Sequence, residues 1–181
     1  MKDNKVADVI LVRAAAGGNT DAFSELAVRY QKRIKAFGMS FFHNETDADD
    51  FVQDVLIKIY TKLSTFRGDS QFSTWLMRIA YNTAINSLNR RKEYVPLSED
   101  FELMDNDLSP EDRQMRAAVV EAVRETMKEI PVHFSVCLDL YFFYGMAYNE
   151  ISIITDLPVN TVKSHIFRAK KLMKQKLEDR I

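Results

Sequence analysis

Five glycines and four prolines are all that interrupt 181 residues. That is about 5% of the chain, against roughly 12% in average usage. A sandwich or barrel of many tight turns needs more of them, so the chain is expected to be mostly helical. Hydrophobic residues make up 46%, enough to fill real cores and to exclude a wholly disordered chain.

One stretch lacks any apolar period. Pro96, Ser98, Asn106, Ser109 and Pro110 fall within it. Its charges from Leu97 to Asp112 are all acidic: Glu99, Asp100, Glu102, Asp105, Asp107, Glu111 and Asp112. Residues 96–112 therefore read as an acidic linker between a unit at 1–95 and a unit at 113–181. The expected fold is all-α, two small helical domains, the second a helix-turn-helix.

Helical spacing predicts four helices in the first unit. The first covers roughly 5–16 and stops at Gly17-Gly18. The second starts near Thr20-Asp21 and carries Phe23, Leu26, Ala27, Tyr30, Ile34, Phe37 and Phe41 on one stripe. The third has Thr46 as expected N-cap, acids in its first turn, and a buried face of Phe51, Val52, Val55, Leu56, Ile59, Tyr60 and Leu63. The fourth runs from about 73 to 92, with Ser73 as N-cap and Trp75, Leu76, Ile79, Ala80, Ala84 and Leu88 inward.

In the second unit a helix at about 111–129 is broken by Pro131, and a very apolar segment at 132–143 ends at Gly145. Then come Tyr148–Thr155, the turn Asp156-Leu157-Pro158, and a long helix capped by Asn160 and reaching about Leu177. A short helix, a tight turn and a long basic helix make a helix-turn-helix.

Net charge is −1, and its distribution says more than its size. From Lys163 to Lys176 every charge is basic, and Arg90-Arg91-Lys92 is a second basic cluster. The stretch from Glu45 to Asp54 is acidic. The lone cysteine, Cys137, sits in an apolar run and reads as a small buried hydrophobe. One cysteine allows neither an intramolecular disulfide nor a multi-cysteine zinc site. His43, His133 and His165 lack metal-ligand spacing, and no Gly-rich phosphate loop, HExxH or GxSxG occurs. No metal, cofactor or enzyme chemistry is expected. No apolar stretch is long enough for a membrane span, and the N-terminus reads as the start of a helix rather than a signal peptide. A soluble cytoplasmic protein is the expectation.

Three surfaces carry candidate function. On the last helix, Val162, Ile166, Ala169, Leu172 and Met173 should pack inward. Thr161, Lys163, Ser164, Phe167, Arg168 and Lys171 then face outward, a mixture suited to base edges in a major groove. The loop 64–71 and the fourth helix combine Phe66 and Trp75 with Asn82, Asn86, Arg78, Arg90 and Arg91. Aromatics, amides and cations together suit splayed single-stranded bases. On the third helix, Asp50, Gln53, Asp54, Ile57 and Lys58 lie opposite the core and suit a protein partner. Each surface, alone, also reads as ordinary core or solvated helix.

Taken together, the residues resemble a known family. The stretch Asp47-Ala48-Asp49-Asp50-Phe51-Val52-Gln53-Asp54, then Phe66-Arg67-Gly68-Asp69-Ser70, then Phe72 through Ala84, resembles domain 2 of the extracytoplasmic function (ECF) group of sigma-70-type bacterial sigma factors. The stretches Met146 to Ile151 and Leu157 to Lys170 are similar to that group's domain 4. The resemblance implies a sigma factor that binds core RNA polymerase, recognises promoter −10 and −35 elements and helps open the duplex. It implies polymerase docking by Asp50, Gln53, Asp54, Ile57 and Lys58. It implies −10 contacts from Phe66, Arg67, Asp69, Ser70, Arg78, Asn82, Thr83, Asn86, Arg90 and Arg91. It implies −35 contacts from Tyr148, Thr161, Lys163, Ser164, Phe167, Arg168 and Lys171, and an anti-sigma partner, often membrane-anchored. Ala147 departs from the Ser or Thr common there, which leaves the next helix without that cap. The competing readings are a stand-alone helix-turn-helix regulator, dimeric on a palindrome, with 1–95 as a sensor or dimerisation domain, and a nucleic-acid enzyme, for which no catalytic set is present.

Overall fold

The structure, a computed structural model, describes residues 3–91, 122–123, 125–127 and 129–178. The chain divides into two compact units, Met1–Phe101 and Glu102–Ile181. The linker expected at 96–112 lies outside the described residues, as does most of the helix expected at 111–129. Helical backbone is present at 122–123, 125–127 and 129. The described residues contain helices and no strand, and none of the helices is long and apolar enough to cross a membrane.

The first unit holds α1 (Asp3–Ala16), α2 (Thr20–Phe42), α3 (Glu45–Lys62) and α4 (Phe72–Arg91), with a short 3-10 turn at Leu63–Thr65. Local chemistry sets the ends. Gly18, at φ 95, turns the chain out of α1. Asn19 caps α2, its side chain accepting from the Ala22 amide at 3.0 Å. His43 closes α2 in the left-handed region at φ 57. That early stop brings Asn44 to the N-cap of α3, where it accepts from the Asp47 amide at 2.8 Å. Thr46 is thus inside α3 rather than its cap, and α4 likewise begins one residue before Ser73.

Leu26, Ile34, Phe37, Phe51, Val55, Ile59, Leu76, Met77, Ala80 and Ala84 form the core of this unit. Gly38 lets α2 and α3 close on each other: a Cβ there would stand 2.6 Å from the Phe51 ring. The inward side of α4 is rotated from the expected stripe. Thr74, Met77 and Thr83 are buried, while Trp75, Ile79 and Leu88 are half-exposed. Asp8 ties α1 to α2, accepting from Arg29 at 2.7 Å and from the Tyr30 hydroxyl at 2.5 Å. Burial first, then that bond to Asp8, raises the Tyr30 proton affinity.

The second unit holds α5 (Val132–Phe142), α6 (Tyr148–Thr155) and α7 (Val159–Glu178). Its core is Val136, Cys137, Leu140, Ile151, Ile154, Val162, Ile166 and Ala169. Cys137 is fully buried, and burial pushes its thiol up to about 11. Ala147 precedes α6 with no side-chain cap, but Glu150 reaches back to its amide at 2.9 Å. Asp156 makes the sharp turn into α7 at φ 56. The Pro158 carbonyl accepts from Thr161 and Val162, so α7 begins at Val159 and Asn160 lies within it.

Candidate functional site

The acidic block on α3 is sorted by its neighbours. Lys35 of α2 meets Glu45 at 2.7 Å and Asp49 at 2.8 Å. Hydrogen bonds to Asp49 and Glu45 raise the Lys35 proton affinity. Asp47 interacts with Asn44 at the helix start. Asp50 and Asp54 are exposed and make no ion pair among the described residues. Beside them lie exposed Gln53 and Ile57, the latter 62% accessible. Tyr60, expected in the core, instead extends this face; it is 52% exposed with its ring edge-on to Phe23 at 4.9 Å. Its helical spacing fitted either face, and nothing local marked it as outward. Lys58 turns away from the face, and its ammonium donates to Thr83 Oγ1 on α4 at 3.2 Å.

The loop after α3 and the start of α4 build an aromatic cluster. Phe66 packs on Phe72 at 5.7 Å and on Trp75 at 5.3 Å between ring centroids. Phe72 is buried and supported by Tyr30, whereas Phe66 and Trp75 are half-exposed. The cluster is therefore both a satellite of the core and an open aromatic surface. Around it Arg67 and Asp69 are exposed and Ser70 is half-exposed. Farther along α4, Asn82, Asn86 and Arg90 are exposed and Arg78 is half-buried. Thr83 is buried, and the side chain of Arg91 lies outside the described residues.

On α7 the expected outward set stands outward. Lys163, Ser164, Phe167, Arg168 and Lys171 are exposed, Thr161 is half-buried, and Phe167 is 69% accessible. Ser164 donates back to the Asn160 carbonyl at 2.9 Å, leaving its oxygen lone pairs for a ligand. Aromatic rings stand behind the cations. Lys163 lies over Tyr148 at 5.7 Å, and Tyr148 stacks on Tyr141 at 5.0 Å. Arg168 lies over Phe134 at 5.9 Å. Lys170 lies over Phe142 at 4.6 Å. Such contacts hold a cation while leaving its N–H groups free to donate.

Two histidines without sequence spacing meet across α5 and α7. His133 and His165 rings are 5.2 Å apart, Phe134 touches His165 at 4.9 Å, and Cys137 Sγ lies 3.8 Å from His165 Nδ1. Burial first, then the charges of His133 and Arg168, lower the His165 proton affinity. No group of three or more His, Cys, Asp or Glu among the described residues is placed to hold a metal ion. The second unit also carries an apolar groove of about 680 Å³ lined by Val123, Leu138, Phe142, Phe143, Met173 and Leu177, with Lys170 and Lys174 at its lining.

Known proteins share this arrangement. The family model of sigma-70 region 2 matches residues 26–94, and that of sigma-70 region 4 matches residues 121–173. The RNA polymerase sigma-H factor of Pseudomonas aeruginosa is 36% identical over 94% of each chain. The ECF RNA polymerase sigma-E factor of Escherichia coli K12 is 35% identical over 96% of each chain. Among solved structures, CnrH in complex with the cytosolic domain of CnrY superposes with a TM-score of 0.70 at 27% identity, covering 96% of this chain and 98% of that one. The first unit thus matches a sigma-factor region rather than a sensor domain, and the stand-alone regulator finds no support. The chain belongs to the ECF group of sigma-70-family RNA polymerase sigma factors, transcription initiation factors rather than enzymes.

Proposed function

We propose that the two units divide the work of a sigma factor as follows. Residues 1–95 dock on core RNA polymerase and recognise the −10 element, residues 113–181 recognise the −35 element, and 96–112 link them. Asp50, Gln53, Asp54 and Ile57 form the polymerase-facing side of α3. The observation that carries this reading is that Asp50 and Asp54 are exposed and make no ion pair among the described residues, beside exposed Ile57, while Glu45 and Asp49 of the same block are engaged by Lys35. Exposed acids around an apolar centre suit a basic protein surface.

Phe66, Arg67, Asp69, Ser70, Asn82 and Asn86 hold and read a base of the melted −10 strand, with Arg78, Arg90 and Arg91 supplying positive charge. A half-exposed aromatic ring offers a stacking platform and an amide offers paired donor and acceptor groups for a base edge. Lys163, Ser164, Phe167 and Arg168, with Thr161, Lys171 and Tyr148, read the −35 element as duplex. The protein acts in the bacterial cytoplasm, where its polymerase is, and a protein partner of the anti-sigma type regulates it. The solved likeness to CnrH, seen with the cytosolic domain of another protein, supports that partner.

With two separated basic sites and a net charge of −1, the free protein should bind duplex DNA weakly. The polymerase brings both units to bear, and the second DNA contact becomes intramolecular. The test is competition between wild-type and Asp54→Ala chains for core polymerase. The expected result is about tenfold weaker binding for the variant, with unaltered promoter preference in the complexes that form. Equal affinity removes Asp54 from the docking face.

A further inference from the structure

Lys58 and Thr83 face each other across the contact between α3 and α4. Lys58 Nζ donates to Thr83 Oγ1 at 3.2 Å, and Thr83 Oγ1 donates in turn to the Ile79 carbonyl at 2.8 Å. A hydroxyl has one proton and two acceptor sites, so Thr83 can serve both bonds at once. Thr83 is 3% exposed and Lys58 is half-buried. Asp54 stands four residues before Lys58 on the same helix, in the orientation that ordinarily favours an ion pair. The described residues hold no such pair. The ammonium has instead crossed to a neutral hydroxyl on the next helix.

The consequence lies on both sides of that bond. On α3 it leaves Asp54 exposed, with no ion pair among the described residues, and Ile57 outward. On α4, Thr83 follows Asn82 directly and precedes Asn86 by three residues, and both amides are exposed. The hydrophobic driving force is non-directional, so a hydrogen bond adds a directional constraint to the α3–α4 contact. A shift of one residue on a helix is about 100° of rotation, so a modest turn re-aims both amides. A charge-assisted hydrogen bond is directional and of the stronger kind.

We infer that the Lys58–Thr83 bond is a positioning device: it sets the rotation of α4 on α3 and thereby fixes Asn82 and Asn86 relative to the polymerase-docking face. The inference rests on the assignment of α3 to the polymerase and of α4 to the −10 element. Lys58 then acts through Thr83 and the amides, not as a contact to the polymerase. Recognition of the −10 base becomes conditional on how α3 is seated, because the two surfaces share this bond.

The experiment uses full-length chains with core RNA polymerase and double-stranded templates randomised at the −35 and −10 elements. The transcribed population is sequenced for each variant. Thr83→Val keeps the shape and removes the hydroxyl. It is expected to flatten −10 base preference about tenfold while leaving −35 preference unchanged. Thr83→Ser restores the hydroxyl and is expected to restore the preference. Lys58→Met is expected to match Thr83→Val, and the double variant to lose no more than either alone, since both remove one interaction.

Unaltered −10 preference in Thr83→Val overturns the proposal. So does failure of Thr83→Ser to differ from Thr83→Val, or losses in the double variant that multiply. Equal loss at both elements, tracking a lower Tm, assigns the bond a purely structural role and overturns it too. A wild-type chain that selects no −10 element overturns the assignment on which the bond's role rests. A wild-type chain that selects an element Thr83→Val leaves unaltered overturns the bond's role alone.

Discussion

Lys35, on α2 beside α3, and Lys163, on α7 itself, are lysines at the two proposed surfaces, and they are held in opposite ways. Lys35 is held by the carboxylates Glu45 and Asp49. Lys163 leans on the ring of Tyr148 and pairs with no carboxylate among the described residues. The first unit works by subtraction: pairing engages Glu45 and Asp49, and Asp50 and Asp54 keep no ion pair among the described residues. The second unit builds by support: rings under Lys163, Arg168 and Lys170 hold cations without neutralising them. A surface for a protein can be carved from an excess of charge. A surface for DNA must keep its cations, because phosphate and base acceptors are what they are there to meet.

That contrast can be broken or sharpened by substitution. The largest expected effect is on the first unit, where close helix packing sets which acids remain outward. Gly38→Ala forces a Cβ into the Phe51 ring and should cost about 3 kcal/mol of that unit's stability by denaturant titration. A loss below a few tenths would show that α2 and α3 are not locked at this approach. Next, Arg168→Ala should remove about 2 kcal/mol of discrimination at one −35 position, read by transcription from single-base promoter variants. Unchanged preference would mean that this face of α7 does not read bases.

Smaller still is the contribution of the supporting ring. Phe134→Leu keeps Arg168 and removes the aromatic face beneath it, so discrimination at the same position should fall by about 0.5–1 kcal/mol. A loss as large as that of Arg168→Ala would mean the ring does more than steady the guanidinium. The smallest effect is a pH dependence confined to the second unit. His165 binds its proton less readily folded than unfolded, where its value is near 6.5. The unfolded state therefore holds more protons in acid. The stabilisation is complete above about pH 6.5 and declines as pH falls through the folded value. The second unit's Tm should drop slightly from pH 7 to 5, and His165→Phe should flatten that slope.

Much of this was legible from residue spacing. The outward face of α7 follows from the inward period of Val162, Ile166 and Ala169, which a helix cannot satisfy any other way. The helix-turn-helix followed from a short helix, a turn and a basic helix in order. What was not legible depends on neighbours distant in the chain. That Glu45 and Asp49 are the paired acids of 45–54 is decided by Lys35 on another helix. The N-cap of α3 is Asn44 rather than Thr46 because His43 ends α2 where it does; both residues are competent caps. Tyr60 stands outward and Thr83 inward, against expectation, because an amphipathic Tyr suits either face and a helical Thr can bury its hydroxyl on its own helix, as Thr83 does on the Ile79 carbonyl. His133 and His165 met through the packing of α5 on α7, which sequence spacing does not encode.

On the proposed division of work, two separate surfaces of one chain recognise two promoter elements once polymerase engages both. The most direct measurement is transcription in vitro from templates randomised at both elements, with core RNA polymerase, this protein, or both. The prediction is discrete starts only when both proteins are present, preceded by two selected elements, with −35 preference altered by Arg168→Ala and −10 preference altered by Asn82→Ala. No starts beyond those of core enzyme alone, with specific binding of palindromic duplex in the absence of polymerase, would contradict it.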